Sequence, residues 1–310
     1  MFVYFKFKEL PKRRRVMSTN VDFDKIPMIG FGTFGVKDPM VIYNALSVGY
    51  RHLDLAEHYN NLPQVKHALT LAFAPLAKGG LGIERKDIWI TMKIPYESIN
   101  KIPALLIDVG TEYFDLLLYH NPFRVFHSKA RLEQSWRQLT GQPKESVRRV
   151  GVSNFYLPHL TRLFDVCQEF NLEKPFANEI QINPYVYSLE KNTIDLCFEN
   201  GIQLIAYSPL GFNASIYILN DETMQTIAGR IQITTAQLSL AWLLSKRICV
   251  IPKSNSKLHQ EENFAAKDAI YSTLQFVDDM DKISVGKVPF YYLLETALLA
   301  KENAEGLDWN

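Results

Sequence analysis

The sequence predicts an α/β fold, a (β/α)8 TIM barrel in a single domain, on three observations. Short, apolar, β-branched runs recur along the 310 residues. Segments of helical length lie between them, with apolar residues three and four apart. No Gly/Ser linker or shift in composition divides the chain.

The first run covers residues 28–31. The others centre on Leu53 (RHLDL), Ile90 (DIWITMK), Leu117 (FDLLLYH), Val152 (RRVGVSN), Ile180 (FANEIQI), Leu204 (GIQLIAYS) and Val250 (ICVIPKS). Each is nearly continuous in apolar residues rather than alternating, as expected of parallel strands covered by helices. Helical spacing falls at 39–48, 129–139, 157–169, 189–199 and 234–245. The last places Leu238, Trp242 and Leu243 on one face, and Thr234 supplies N-cap chemistry. A doubly wound open sheet shares this alternation, but no GxGxxG follows the first run, which counts against a Rossmann nucleotide site.

The chain is 47% hydrophobic and 22% charged, with 34 basic against 33 acidic side chains and a net charge of +1. Such a composition excludes a disordered chain and gives no electrostatic reason to expect nucleic acid or an anionic membrane. Three scattered cysteines exclude a disulfide scaffold and a cysteine zinc site; no metal and a reducing, cytoplasmic setting are expected. No apolar run approaches the ~20 residues of a membrane span. Residues 1–24 read as an N-terminal extension, partly disordered, and 25–310 as the barrel with a C-terminal tail. In the extension the apolar part precedes Lys12, Arg13, Arg14 and Arg15, the reverse of a secretory signal, and Met17 is an alternative start.

Polar residues close the apolar runs: Asp54, Lys93, His120, Ser153, Asn154, Glu179, Tyr207 and Lys253. In a barrel enzyme the active site forms at that rim. Tyr59 follows Asp54 on the same strand-to-loop stretch. A phenol ionises near ~10 and is a poor donor at neutral pH. A lysine ammonium beside it, Lys93, is expected to lower that value, with Asp54 as counter-charge. His120 can orient a carbonyl or share the proton. Such a cluster protonates a nascent alkoxide, and the accompanying hydride requires a nicotinamide cofactor. Alone, Asp54 and Lys93 would equally be a structural ion pair.

These segments together resemble the aldo-keto reductase superfamily, from about Lys25 to about Phe264. GYRHLD followed by Tyr59 is similar to the signature carrying the family's catalytic aspartate and tyrosine; ITMK and LLLYH resemble the strands carrying its lysine and histidine. VGVSNF, NEIQINPY, AYSPLG and IPKSN are similar to its cofactor-binding segments, in the usual order. The resemblance implies a catalytic tetrad of Asp54, Tyr59, Lys93 and His120, with Tyr59 as general acid. It also implies a cofactor site of Gly32, Thr33, Asp54, Ser153, Asn154, Glu179, Tyr207, Ser208, Leu210, Lys253, Ser254, His259, Glu262 and Asn263. Ser153 and Asn154 would bond a carboxamide, Tyr207 stack on the ring, and Lys253 with Ser254 hold a ribose phosphate. A small carbonyl substrate and a monomer or weak oligomer are expected.

The chain departs from the family at several positions. Asn60-Asn61-Leu62 and then Lys66 replace a glycine-containing stretch, so altered packing is expected there. Asn178-Glu179-Ile180-Gln181 stands where the family has Asn-Gln-x-Glu; a carboxylate at 179 beside nicotinamide should favour the oxidised, cationic ring. His259 takes the place of an arginine that grips the adenosine phosphate, so NADP(H) is expected with reduced selectivity over NAD(H). Phe34, Tyr96, Asn121 and Phe123 are candidate substrate walls, with a short loop between His120 and Ser128. Residues 289–300 read as an amphipathic helix packing on the barrel. Two rival readings are a cofactor-binding sensor with this fold and a hydrolase using Asp54 and Glu179 as paired acids.

Overall fold

The computed structural model describes residues 26–122, 128–212 and 215–283; the N-terminal extension, Phe123 and the expected tail helix lie outside the described residues. Eight strands form one sheet in chain order, every neighbouring pair parallel: β1 Phe31–Gly32, β2 His52–Ala56, β3 Trp89–Ile94, β4 Leu116–Tyr119, β5 Val150–Ser153, β6 Ala177–Gln181, β7 Gln203–Tyr207 and β8 Cys249–Val250. A parallel bridge between Ile29 and Val250 joins the last strand to the approach of the first, with Gly30 N donating to Val250 O at 2.8 Å. The sheet is therefore a closed barrel without free edges.

Each strand is followed by a helix: α1 Pro39–Val48, α2 Leu62–Phe73, α3 Ile102–Val109, α4 Lys129–Thr140, α5 Leu157–Glu169 and α6 Lys191–Glu199. The β7–β8 crossover holds three, α7 Ser215–Leu219, α8 Glu222–Arg230 and α9 Thr235–Ser245, and α10 Lys257–Phe264 follows β8. Boundaries are set by local chemistry. Asp38 caps α1 by accepting from Met40 N, Pro39 opens its first turn, and Gly49 ends it at φ 122°. A Cβ at Gly49 would lie 2.9 Å from the Phe264 ring. Thr234 and Gln237 form a reciprocal capping box at the start of α9.

Two cores result. One lies between the strands and the helices; the other fills the barrel interior with Trp89, Leu116, Leu118, Ala177, Ile205 and Cys249. The two-residue period of a strand carries this interior column upward to Asp54, Lys93, Glu179 and Tyr207. Lower in the column, His52 is fully buried: Nδ1 lies 3.2 Å from Pro27 O and Nε2 2.9 Å from Thr91 Oγ1. All three cysteines, Cys167 on α5, Cys197 on α6 and Cys249 on β8, are free and buried.

α9 departs from the expected one-sided pattern. It is buried on every face, including Ala236, Leu238, Leu240, Ala241, Trp242 and Leu244, because residues 265–281 fold over its outer side. Trp242 Nε1 donates to Asp281 Oδ1 at 2.9 Å, and Lys246 pairs with the same carboxylate. The stretch after Tyr59 is held by local contacts of its own. Asn60 occupies the left-handed region (φ 52°), which asparagine tolerates. The Asn61 amide is buried and donates to Thr33 O at 2.7 Å and Val36 O at 3.1 Å. Lys66 lays its stem near Gly110 and donates to Ile107 O.

Candidate active site

The carboxyl ends of the strands surround a cleft of about 1220 Å³. It runs from Asp54, Tyr59, Lys93 and His120 at one end to Lys253, Ser254, His259, Glu262 and Asn263 at the other. A second, shallower depression of about 550 Å³ lies beside α7; its acid, Asp221, caps α8 and accepts from the Tyr185 hydroxyl.

Lys93 is the centre of the deep end. It projects from β3 into the barrel and is 1% exposed. Its ammonium lies 2.5 Å from both oxygens of Asp54 and 2.9 Å from Glu179 Oε1. The same ammonium is 5.2 Å from the centre of the Tyr59 ring. Tyr59 ends a single turn after β2, Glu57–Tyr59, which aims it back over the rim. Its ring meets His120 edge-on at 6.0 Å and Phe34 edge-on at 5.1 Å. His120 extends the β3–β4 ladder by one residue, its N–H donating to Ile94 O, and its Nδ1 is buried without a partner.

Charge in this cluster differs from the expectation in one respect. Burial opposes the charge of Lys93, but Asp54 and Glu179 outweigh it and hold the ammonium protonated. The Tyr59 phenol is pushed up, not down: burial raises it, Lys93 opposes, and the two carboxylates add to the rise. The expected acidification of the phenol is therefore corrected, since one ammonium does not overcome burial together with two negative neighbours. Burial, aided by Lys93 and His58, lowers His120 to about 3, so its imidazole is neutral at physiological pH. Glu179 is raised by burial and by Asp54, against the pull of Lys93.

Asn154 ties the rim together. Its N–H donates to Glu179 O, its amide nitrogen to His120 O at 2.8 Å, and its amide oxygen accepts from the Tyr207 hydroxyl at 2.8 Å. Ser153 Oγ donates to Glu179 O at 2.9 Å. Asn154, Ser208 and Phe212 all line the cleft with positive φ (61°, 48° and 50°), a conformation costing about 1–3 kcal/mol each for non-glycine residues. Gly32 lines it too, where a Cβ would stand 2.9 Å from Ile251 O.

Of the residues expected at the cofactor site, Ser153, Asn154, Glu179, Tyr207, Ser208 and Leu210 line this cleft, as do the five at its far end. Thr33 does not: its hydroxyl is spent on Asp54 O at 2.7 Å. Among the substrate-wall candidates, Phe34 lines the cleft but Tyr96 and Asn121 do not. Tyr96 opens the turn Tyr96–Lys101 and packs edge-on against buried Tyr119. Among the lining residues that sequence reasoning missed are Phe212, Thr235 and Gln181. Phe212 lies 6.2 Å from Phe34 across the mouth, and only its place in the loop after AYSPLG hinted at this.

The model of the Aldo/keto reductase family matches residues 37–284. The chain belongs to the aldo-keto reductase family. As a member it is similar to D/L-glyceraldehyde reductase of Hypocrea jecorina, 33% identical over 81% of this chain and 82% of the relative. It is also similar to methylglyoxal reductase DkgB of Escherichia coli O157:H7, 31% identical over 78% and 88%. Among solved structures, an aldo/keto reductase from Brucella melitensis superposes with a TM-score of 0.69 at 30% identity, covering 83% of this chain and 94% of that one.

Proposed function

We propose that this aldo-keto reductase reduces a small aldehyde or ketone to an alcohol with a reduced nicotinamide dinucleotide, Tyr59 delivering the proton. The single observation carrying the reading is a buried ammonium, Lys93, 5.2 Å from the Tyr59 ring where both line the deep end of a cleft. A hydrolase with paired acids fits less well, because Lys93 bonds both Asp54 and Glu179.

The residues present fit a dinucleotide. The cleft exceeds the ~300–1,000 Å³ of drug-sized sites, and both of its ends are polar. Lys253 and Ser254, with the first turn of α10, which no side chain caps, would hold phosphate. Tyr207, its hydroxyl fixed by Asn154, presents a ring for stacking. NADP(H) is the favoured cofactor; NAD(H) is the alternative, since the imidazole of His259 lacks a guanidinium fork. Bound there, the reduced nicotinamide supplies the hydride, which no side chain carries.

The chain's own residues do the rest. Neutral His120 orients the carbonyl oxygen as a hydrogen-bond donor. Lys93, kept charged by its carboxylates, faces the oxygen where negative charge develops. Tyr59 holds its proton until an alkoxide, more basic than a phenolate, takes it. We place the activity in a reducing, cytoplasmic setting, with which three free thiols accord.

Oxidation of NADPH in the presence of a panel of small aldehydes tests the reading. Tyr59→Phe is expected to lose about 10²–10⁴-fold in turnover while cofactor affinity persists. Tight cofactor binding by the wild type without turnover would instead make the protein a sensor.

A further inference from the structure

Glu179 is the less satisfied of the two acids in the deep end. One of its oxygens bonds Lys93; the other is buried without a partner, in a residue 1% exposed that lines the cleft. Asp54 takes the same ammonium with both oxygens. One ammonium cannot neutralise two buried carboxylates, and a surplus negative charge in such surroundings is costly. The groups around Glu179 are Asp54 from β2, Tyr59 from the following turn, Lys93 from β3 and the Cys249 thiol from β8; neutral His120 lies edge-on to the Tyr59 ring. Lys93 is the sole cation among these.

The surplus can be relieved in two ways. Glu179 takes up a proton, or positive charge enters the cleft. A hydride donor must lie against a carbon whose oxygen reaches Tyr59, and Tyr59 and Glu179 meet at one ammonium. The ring of oxidised nicotinamide is cationic and that of reduced nicotinamide is neutral.

We propose that Glu179 couples proton binding to the redox state of the nicotinamide, meeting the oxidised ring as a carboxylate and the reduced ring as a carboxylic acid. As an acid it can also donate a hydrogen bond to a carboxamide oxygen, which a carboxylate cannot. This rests on the reading of the cleft as a nicotinamide site. It also revises the fixed preference expected from sequence: the tilt toward oxidised cofactor is present at high pH and fades as Glu179 is protonated.

Linkage gives the size of the effect. If binding the oxidised form releases one proton and binding the reduced form releases none, the ratio of their dissociation constants falls by up to tenfold per pH unit as pH rises. The dinucleotides carry identical phosphates, so phosphate titration cancels in the ratio. Calorimetric titration of the wild type with NADP+ and NADPH, between about pH 5.5 and about pH 9 in buffers of different ionisation heat, reads both ratio and protons.

The expected result is proton release with NADP+ alone and a ratio that falls with pH. Glu179→Gln should flatten the ratio, and Tyr59→Phe should leave its slope in place. A ratio independent of pH in the wild type overturns the proposal, as does a slope that survives Glu179→Gln or vanishes in Tyr59→Phe. The wild-type proton count decides the matter even if Glu179→Gln does not fold. Failure of both NADP(H) and NAD(H) to bind removes the functional reading together with this one, whereas tight binding at a constant ratio removes this one alone.

Discussion

At the scale of the residue, the Tyr59 phenol is held above its ordinary value. Burial and the carboxylates of Asp54 and Glu179 keep its proton on, and Lys93 only moderates them. In the proposed reaction, reduction requires the protonated phenol and alcohol oxidation requires the phenolate, so the two directions should differ in pH dependence. We expect kcat/KM for aldehyde reduction to show no loss from phenol ionisation up to about pH 9, and that for alcohol oxidation to rise by about tenfold per unit through the same range. Paired pH profiles in both directions check this. A reductive profile that falls with an apparent pKa near neutrality, and persists in Glu179→Gln, would show that Lys93 acidifies the phenol after all. The ammonium and its aspartate were legible as residue types closing successive apolar runs. That Glu179 turns onto the same ammonium was not, because it depends on how far three strands are staggered at barrel closure.

At the scale of the element, close packing of strand against strand leaves no room for a side chain at Gly151. A Cβ there would stand 2.4 Å from Ala177 O and 2.8 Å from Leu118 Cδ2. Gly151→Ala is expected to cost about 1–3 kcal/mol by overpacking, read as a lower urea midpoint with unchanged slope. An unchanged midpoint would show that β5 and β6 can spread without penalty. The strands themselves were readable because parallel strands are apolar on both sides, and each named run overlaps one, the first by Phe31 alone. Helix starts were readable where a capping residue stood, as at Asp38, Ser128 and Thr234. The surroundings of α9 were not. Its periodicity was masked by a cover arriving from residues 265–281, a contact that local spacing does not encode. Tyr96 was misplaced for a related reason: a tyrosine two residues beyond a strand end can turn into the cleft or back onto its neighbour, and Tyr119 decided it.

At the scale of the whole molecule, the barrel interior is built around a neutral histidine. Pro27 O can only accept, so His52 Nδ1 carries the proton and Nε2 accepts from Thr91, whose oxygen also receives Trp89 Nε1 at 3.1 Å. Burial lowers His52 to about 4, only partly countered by Asp54. A depressed folded-state pKa means stability that is complete above about 6.5 and is lost as pH falls from there toward 4. The share belonging to His52 is about 3 kcal/mol. Comparing the pH dependence of unfolding free energy in wild type and His52→Gln checks this, the variant being expected to lose that part of the slope between about pH 6.5 and about pH 4. Equal slopes would assign acid sensitivity to other groups.

Interior closure also governs the three sulfurs. Burial pushes Cys167 and Cys197 up to about 12 and raises Cys249 as well, so none is a thiolate in the native barrel. Peroxides and electrophiles attack the thiolate, and here they meet neither the ion nor a path to it. On the proposed function, aldehydes entering the cleft would find no thiolate among the three cysteines to alkylate, and a damaged cysteine would mark a copy that had already come apart.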